Sequence, residues 1–248
     1  MLRDETIMSD TSKDEEQPAE DLDPFADDGT AILLQEDSEA DALLIAFGGL
    51  FGSVAVPVYE FAKFASSLSA KGMFLRDPHR AWYFRGLPEA GDDLLSVEKV
   101  LAGHLERLQP RRVVAVGASA GGFAALHFGA RLGFDEVHAF SPQTTVAKWQ
   151  RFRLGDRRWK KDIRNIHSSP EENRVFEDLV PTLSARRPGS TFHVHYCHTE
   201  GLDVAHAMRI ASCEDVFLHA YAEGDHKVIR WLKKRGELSR ILEASLRG

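Results

Sequence analysis

The sequence predicts a three-layer α/β/α sandwich with a mostly parallel central sheet. From residue 31 onward, short apolar runs alternate with longer stretches of helical periodicity, which is the pattern of strands connected by helices. Several of the short runs are continuously apolar, as expected for strands that helices cover on both faces. At 248 residues, the chain fits one domain with a terminal extension better than two domains.

The predicted elements follow one another along the chain. The strand candidates are Ala31–Leu34, Ala42–Phe47, Ala81–Phe84, Val113–Val116, Glu136–Phe140, Thr191–Tyr196 and Val216–Tyr221. The helix candidates are Val58–Leu68, Leu94–Leu108, Gly121–Leu132, Val204–Ile210 and Val228–Ala244. Residues 144–190 contain no convincing strand and many basic residues, and we expect this helical insertion to form a cap over one edge of the sheet.

The acidity of the chain belongs to its N-terminus. Residues 1–28 contain 11 acidic and 2 basic residues, whereas the remaining 220 contain 27 and 29. We expect residues 1–30 to be a disordered acidic tail, because so few apolar residues cannot offset the entropy of ordering. The nearly neutral remainder, residues 31–248, does not favour nucleic-acid binding.

Membrane, secreted, disulfide-rich and metal-binding classes of protein are also disfavoured. No apolar run approaches the ~20 residues of a membrane span, and the acidic start does not resemble a secretory signal, so we expect a cytoplasmic protein without a membrane span. Two cysteines are too few for a disulfide scaffold or a four-cysteine zinc site. No His-Glu-x-x-His segment occurs either, and the sequence predicts neither a metal nor a cofactor.

The most informative motif is Gly117-Ala-Ser119-Ala-Gly121-Gly, which connects the apolar run Val113–Val116 to a helix candidate. Glycines on both sides of a serine let a strand and a helix approach closely, and the sharp turn holds the hydroxyl at a helix N-terminus. Ser119 is therefore the candidate nucleophile. The competing interpretations are a serine that only caps the helix and a glycine-rich phosphate loop, although neither Walker nor dinucleotide spacing is present.

A serine nucleophile needs a general base, and the candidate base is His226. It follows the last strand candidate, so the topology puts it at the same sheet edge as Ser119. The competing interpretation is a capping or surface histidine, and His198 and His206 are minor alternatives as the base. The alternating His193 and His195 are expected to be structural.

The orienting acid is less well determined by the sequence. Asp203 is preferred because it lies where the loop after Thr191–Tyr196 turns into a helix, with Glu200 as the alternative and Asp225 third. A role as helix N-cap is the competing interpretation of Asp203.

Backbone donors for a developing oxyanion are also predicted. The strand Ala42–Phe47 ends in two glycines, and Gly49 or Leu50 is expected to supply one N–H group. Ala120, directly after the candidate nucleophile, is expected to supply the other. An ordinary glycine turn is the alternative interpretation of the Gly-Gly pair.

The order of these motifs resembles the α/β-hydrolase superfamily over roughly residues 31–246. Within it, Gly117-Ala-Ser-Ala-Gly-Gly-Phe-Ala-Ala-Leu and Ala139-Phe-Ser-Pro-Gln-Thr resemble hydrolase-like proteins associated with bacterial polysaccharide and surface-glycan loci. The resemblance implies that Ser119, Asp203 and His226 are nucleophile, acid and base. The chain departs from the common pattern because Asp203 is not in a Gly-x-x-Asp setting and the helix after it lacks the usual proline.

The sequence therefore predicts a serine hydrolase, most simply an esterase or acyl hydrolase. A catalytically silent module that binds a glycan or a partner, and an acyltransferase with the same triad, are the alternatives. The substrate is expected to be a small-molecule or glycan ester, and basic and aromatic residues of the insertion predict selection of an anionic one. The candidate substrate-binding residues there are Trp149, Arg153 and Arg158.

Overall fold

The computed structural model describes residues 30–36, 39–50, 67, 70–167 and 171–248, with a seven-stranded sheet at the centre. The strands are β1 (Ile32–Gln35), β2 (Ala42–Phe47), β3 (Lys71–Leu75), β4 (Arg112–Ala118), β5 (Glu136–Phe140), β6 (Thr191–Cys197) and β7 (Val216–Tyr221). Their order across the sheet is β1-β3-β2-β4-β5-β6-β7. Strand β1 is antiparallel to β3, and the other pairs are parallel. The predicted mostly parallel sheet is confirmed.

Helices connect most of the parallel strands. In the described part of the chain they are α1 (Leu94–Leu108), α2 (Ala120–Leu132), α3 (Lys148–Leu154), α4 (Lys160–Ile166), α5 (Leu179–Ser184), α6 (Gly201–Arg209), α7 (Val228–Lys234) and α8 (Glu237–Arg247), with short 3₁₀ helices at Glu171–Phe176 and Asp225–Lys227.

Apolar side chains cover both faces of the sheet, as the three-layer prediction requires. On one face, Phe128 of α2 and Val137 of β5 belong to the larger apolar cluster. On the other face, Leu232 of α7 and Leu242 of α8 pack in a second cluster that includes Val116 of β4. Each of these side chains is almost completely buried, and burial of one such side chain contributes about 1.5–3 kcal/mol.

The prediction of a strand at Ala81–Phe84 is wrong. These four residues form turns, although every one of them is fully buried. The cause is Asp77, whose carboxylate accepts the backbone N–H groups of His79, Ala81 and Tyr83 at 2.6–3.0 Å. A side chain that accepts three backbone N–H groups offers the chain an alternative to the hydrogen bonds of a strand ladder, so apolar residues are buried here without forming a strand.

The strand that the sequence did not indicate is β3, directly before these turns. Its glycine, Gly72, weakens the apolar pattern by which a strand is recognised. A Cβ at this position would lie 2.4 Å from the ring of Phe74, so a larger residue would require that ring to move. The predicted helix Val228–Ala244 also differs, because Gly236, with φ 72°, separates α7 from α8. A left-handed residue ends one helix and redirects the next.

Two predicted segments lie outside the described residues: almost all of the tail at residues 1–30 and almost all of the helix Val58–Leu68. The insertion at residues 144–190 contains α3, α4 and α5, and the structure adds an isolated bridge between Thr145 and Asp178. Within the ranges that the structure describes, no helix combines the length and the apolar character required to cross a bilayer.

Candidate active site

Ser119 occupies a strained turn between β4 and α2. Its φ of 54° and ψ of −116° are uncommon for a residue other than glycine and cost roughly 1–3 kcal/mol. A Cβ at Gly117 would lie 2.2 Å from the carbonyl oxygen of Gly121, so only glycine permits this approach of strand and helix. The N–H of Ser119 donates to the carbonyl of Phe140, at the end of β5, at 2.9 Å. The turn therefore fixes the serine at the carboxyl edge of the sheet.

A second close approach brings the end of β2 to the same place. A Cβ at Gly121 would lie 2.1 Å from the carbonyl oxygen of Phe47, so the first turn of α2 lies directly against the segment that leads to Gly49 and Leu50. Ala120 is the first residue of α2, and such an N–H has no partner within its helix. Gly121 thus lets the first turn of α2, which begins at Ala120, lie against the end of β2, and Gly49 and Leu50 follow that end.

The structure brings Ser119, His226 and Asp203 together. Nε2 of His226 lies 3.3 Å from Oγ of Ser119, and Nδ1 of the same ring lies 2.7 Å from Oδ2 of Asp203. Ser119 and Asp203 are buried, whereas about a fifth of the His226 side chain is exposed. With Nδ1–H donating to Asp203, the lone pair of Nε2 faces the serine hydroxyl, which is the arrangement a general base needs.

The two alternative acids have other positions. Glu200 is the N-cap residue of α6, and its backbone N–H donates to the carbonyl of Cys197 at 3.1 Å. The carboxylate of Asp225 accepts the backbone N–H of Lys227 at 2.6 Å. Asp203 lies inside the first turn of α6, not at its N-cap. Of the three carboxylates, Asp203 is the one hydrogen-bonded to His226.

Arg158, which the sequence predicts to bind substrate, contacts two carboxylates of this chain. Its Nη1 donates to Oδ1 of Asp203 at 2.8 Å, and its Nε donates to Oδ1 of Asp156 at 3.1 Å. Burial alone raises the pKa of Asp203, but the hydrogen bond from His226 and the pairing with Arg158 outweigh it and hold the pKa below its ordinary value. Asp203 is therefore a carboxylate at neutral pH, and Arg158 fixes its free oxygen.

Asp156 extends this charged network into the insertion. Its Oδ2 accepts Nη1–H of Arg151 at 3.2 Å and Nε2–H of His206 at 3.0 Å. Burial raises the pKa of Asp156, yet the hydrogen bonds from His206 and Arg158 outweigh this and lower it. His206, a minor alternative for the base, is fully buried, and its Nδ1 accepts the backbone N–H of Thr144 at 3.1 Å. Both ring nitrogens of His206 are thus engaged away from the serine.

Gln143 is a site residue to which the sequence analysis assigned no role. Its Nε2 lies 3.0 Å and its Oε1 3.1 Å from Oγ of Ser119. Nε1–H of Trp82 donates to Oε1 at 3.2 Å, which leaves Nε2–H to point at the serine oxygen. A signal existed, because Gln143 follows β5, whose carboxyl end is beside that of β4. Trp82 was assigned to a strand, so its contribution could not be foreseen.

The other two predicted substrate-binding residues lie on the surface of α3. Trp149 and Arg153 are both exposed, and the ring of Trp149 stacks on Phe152 with centroids 5.7 Å apart. Trp149 and Phe152 are 64% and 75% exposed. They form an aromatic patch on the insertion that also contributes Arg158 to the site.

The comparisons with known proteins agree with this architecture. No protein-family model and no curated protein sequence matches the chain. Among solved structures, the capsule O-acetyltransferase of Neisseria meningitidis serogroup A is similar, with a TM-score of 0.63, 12% identity, and coverage of 88% of this chain and 91% of that one.

Two further solved structures are similar. The 2,6-dihydroxy-pseudo-oxynicotine hydrolase has a TM-score of 0.62 at 16% identity, over 87% of this chain and 63% of that one. FphF, a fluorophosphonate-binding serine hydrolase of Staphylococcus aureus, has a TM-score of 0.55 at 14% identity, over 90% and 89%. At these identities the likeness concerns the fold. The chain has the α/β-hydrolase fold.

Proposed function

We propose that this protein is a serine hydrolase that cleaves carboxylic esters through an acyl-enzyme intermediate. The observation that carries the proposal is the chain of contacts from Oγ of Ser119 to Nε2 of His226 at 3.3 Å and from Nδ1 of His226 to Asp203 at 2.7 Å. A nucleophile within reach of a base that a carboxylate orients is the arrangement by which a serine hydroxyl becomes reactive.

In the proposed reaction, Oγ of Ser119 attacks the ester carbonyl and His226 takes the hydroxyl proton on Nε2. Asp203 stabilises the imidazolium that forms. The developing oxyanion accepts hydrogen bonds from the N–H of Ala120 and of Gly49 or Leu50. His226 then donates its proton to the departing alcohol. In the second half of the reaction, His226 takes a proton from water, the water oxygen attacks the acyl group, and the proton passes to Oγ of Ser119 as the free acid leaves.

The network around Asp203 supports the direction of proton transfer. Arg158 holds one carboxylate oxygen and His226 the other, so the ring is fixed with Nδ1 protonated and Nε2 available. Nε2–H of Gln143, 3.0 Å from Oγ, gives the serine oxygen a second hydrogen-bond partner besides His226. The substrate class that we propose is a small-molecule or glycan ester, and the basic insertion favours an anionic one.

The test compares the wild-type chain with Ser119→Ala and with Ser190→Ala, another buried serine, whose hydroxyl makes no hydrogen bond. We expect a fluorophosphonate to label the wild type and Ser190→Ala but not Ser119→Ala. Hydrolysis of p-nitrophenyl acetate is expected to fall at least 10³-fold in Ser119→Ala alone. Equal labelling of all three proteins, or none of the wild type, would contradict the proposal.

Acyl transfer is the second candidate, favoured by the structural similarity to a capsule O-acetyltransferase over 88% of this chain. An alcohol or sugar acceptor would then intercept the same acyl-enzyme in place of water. Adding acceptors to the ester assay separates the two functions. A transferase produces acylated acceptor at the expense of free acid, whereas a hydrolase produces free acid at an unchanged rate.

A further inference from the structure

A carboxylate and two histidines converge on a face of the sheet that the Ser119 site does not use. Glu136 and His138 lie on β5 and His193 lies on β6, and their ligand-type atoms are all within 4.8 Å of one another. Oε1 of Glu136 is 3.1 Å from Nε2 of His138 and 3.3 Å from Nε2 of His193. Ligands of a tetrahedral zinc ion at ~2.0–2.1 Å lie roughly 3.3 Å from each other, so the two separations between carboxylate and imidazole match those around a shared ion.

We propose that Glu136, His138 and His193 bind a divalent transition-metal ion of the zinc class. Imidazole nitrogen with carboxylate oxygen is a ligand set that suits Zn²⁺, Co²⁺ and Ni²⁺. The pairing of the strands creates the set, because His138 is directly opposite His193 in the parallel ladder of β5 and β6. The sequence indicates no metal because Glu136 and His138 belong to no metal-binding motif.

A second layer of histidines is the independent observation that supports the site. Nδ1 of His138 is 3.0 Å from Nε2 of His195, and Nδ1 of His193 is 2.9 Å from Nε2 of His219. Metal-ligating histidines almost always donate their other ring N–H to a hydrogen-bond acceptor, which fixes the tautomer and the ring orientation, and the acceptors here are the ring nitrogens of His195 and His219. With both Nδ1–H groups donating outward, both Nε2 lone pairs face Oε1 of Glu136.

The surroundings leave one oxygen of Glu136 for the ion. Its Oε2 accepts Nη2–H of Arg112 at 2.7 Å, and only Oε1 faces the two imidazoles. Oγ of Ser245, on α8, is 2.8 Å from Nε2 of His138 and 2.8 Å from Oε1 of Glu136. This hydroxyl, which also lies 3.0 Å from the carbonyl oxygen of Ile241, would be the fourth ligand.

An ion can reach this cluster from solvent. The side chains of Glu136 and His193 are 17% and 21% exposed, whereas His138 is buried. A bound ion would join β5 and β6 to the C-terminal helix through Ser245. We therefore expect metal binding to stabilise the folded chain, since a ligand that binds only the native state raises its stability.

Hydrogen bonds without an ion would also hold these side chains together, with the Nε2–H groups of His138 and His193 donating to Glu136. The test titrates Zn²⁺ and Co²⁺ into the chelator-treated, desalted full-length chain, with a chromophoric chelator as competitor. We expect one equivalent to bind, four-coordinate absorption from Co²⁺, and a thermal midpoint that rises with Zn²⁺ concentration. No binding, or binding without a change in the midpoint, would overturn the proposal.

The variants locate the ion. We expect Glu136→Gln and His193→Gln to weaken Zn²⁺ binding at least tenfold, and His219→Gln, in the second layer, to weaken it less. His198→Gln removes an exposed histidine next to β6 and is the matched control, expected to bind as the wild type does. Far-UV circular dichroism verifies that each variant is folded. Wild-type affinity in both ligand variants, or a loss that occurs in His226→Gln instead, would overturn the assignment.

Discussion

Two polar regions of this molecule share strand β5 and differ in how they are built. Ser119 is held at the carboxyl end of β5 by a hydrogen bond to Phe140, and its partners come from turns and helix starts. The histidine cluster, which consists of His138, His193, His195 and His219, lies on β5, β6 and β7 within the strand ladder. In the first region buried carboxylates are paired with arginines, and in the second most members are imidazoles. Charge pairing fixes the side chains of the site on loops, whereas register places those of the site on strands, although Glu136 also pairs with Arg112.

The largest effect that we expect comes from Asp203→Asn. The amide keeps the shape of the side chain but presents an N–H or a neutral oxygen to His226, which favours the wrong tautomer and withdraws the charge that stabilises the imidazolium. We expect kcat for p-nitrophenyl acetate to fall by about 10³–10⁴, with the fold retained by circular dichroism.

Glu200→Gln is the matched control for this change, because it neutralises the other candidate carboxylate three residues earlier. It is expected to change kcat less than about threefold. A greater loss in Glu200→Gln than in Asp203→Asn would show that the loop rearranges before catalysis and that the acid is Glu200.

The two regions also differ in how far the sequence could predict them. Gly117 and Gly121 mark the Ser119 turn because backbone geometry demands glycine there. The order of strands and helices indicates His226 as the base, but it leaves Asp203 and Glu200 both open as the acid. Register leaves no comparable mark, so the pairing of His138 with His193 could not be read from the sequence.

The errors in the fold have the same origin. Apolar composition alone assigned Ala81–Phe84 to a strand, because nothing in the pattern reveals that the Asp77 carboxylate binds the backbone N–H groups of these turns. Charge composition likewise does not show that the guanidinium of Arg158 lies between two buried carboxylates. Long-range polar contacts are the part of the structure that local patterns do not encode.

Arg158→Gln sharpens the comparison by removing the cation that joins Asp156 to Asp203. We expect kcat to fall about tenfold, because Asp203 loses the hydrogen bond that fixes its free oxygen. Hydrogen bonds to charged groups contribute about 1.5–3 kcal/mol, and the partial exposure of Arg158 reduces this contribution. We therefore expect the free energy of unfolding to fall by at most about 2 kcal/mol. Denaturant unfolding and ester kinetics measure the two effects.

Arg157→Gln, at the exposed neighbouring position, is the control and is expected to change stability by less than about 0.5 kcal/mol. Equal behaviour of the two variants would mean that the pairing contributes nothing to the site, and that the proposed difference between the two regions is wrong.

The smallest effect concerns the dependence of stability on pH. The pKa of Asp203 and that of Asp156 lie below their ordinary values in the folded chain. Their contribution to stability is therefore fully present above the unfolded pKa of about 3.9 and is lost as pH falls through the lower folded values. We expect the wild-type free energy of unfolding to decrease on acidification below about pH 4, by at most about 1.4 kcal/mol per pH unit for each carboxylate.

Asp203→Asn removes one of these two protonation events. Its free energy of unfolding, lower than that of the wild type at pH 7, is expected to fall less steeply below pH 4, so that the two curves converge in acid. Urea unfolding at a series of pH values measures both slopes. Parallel curves would mean that Asp203 has the same pKa folded and unfolded, and the pairing with Arg158 and His226 would then fail to explain why this carboxylate is ionised inside the protein.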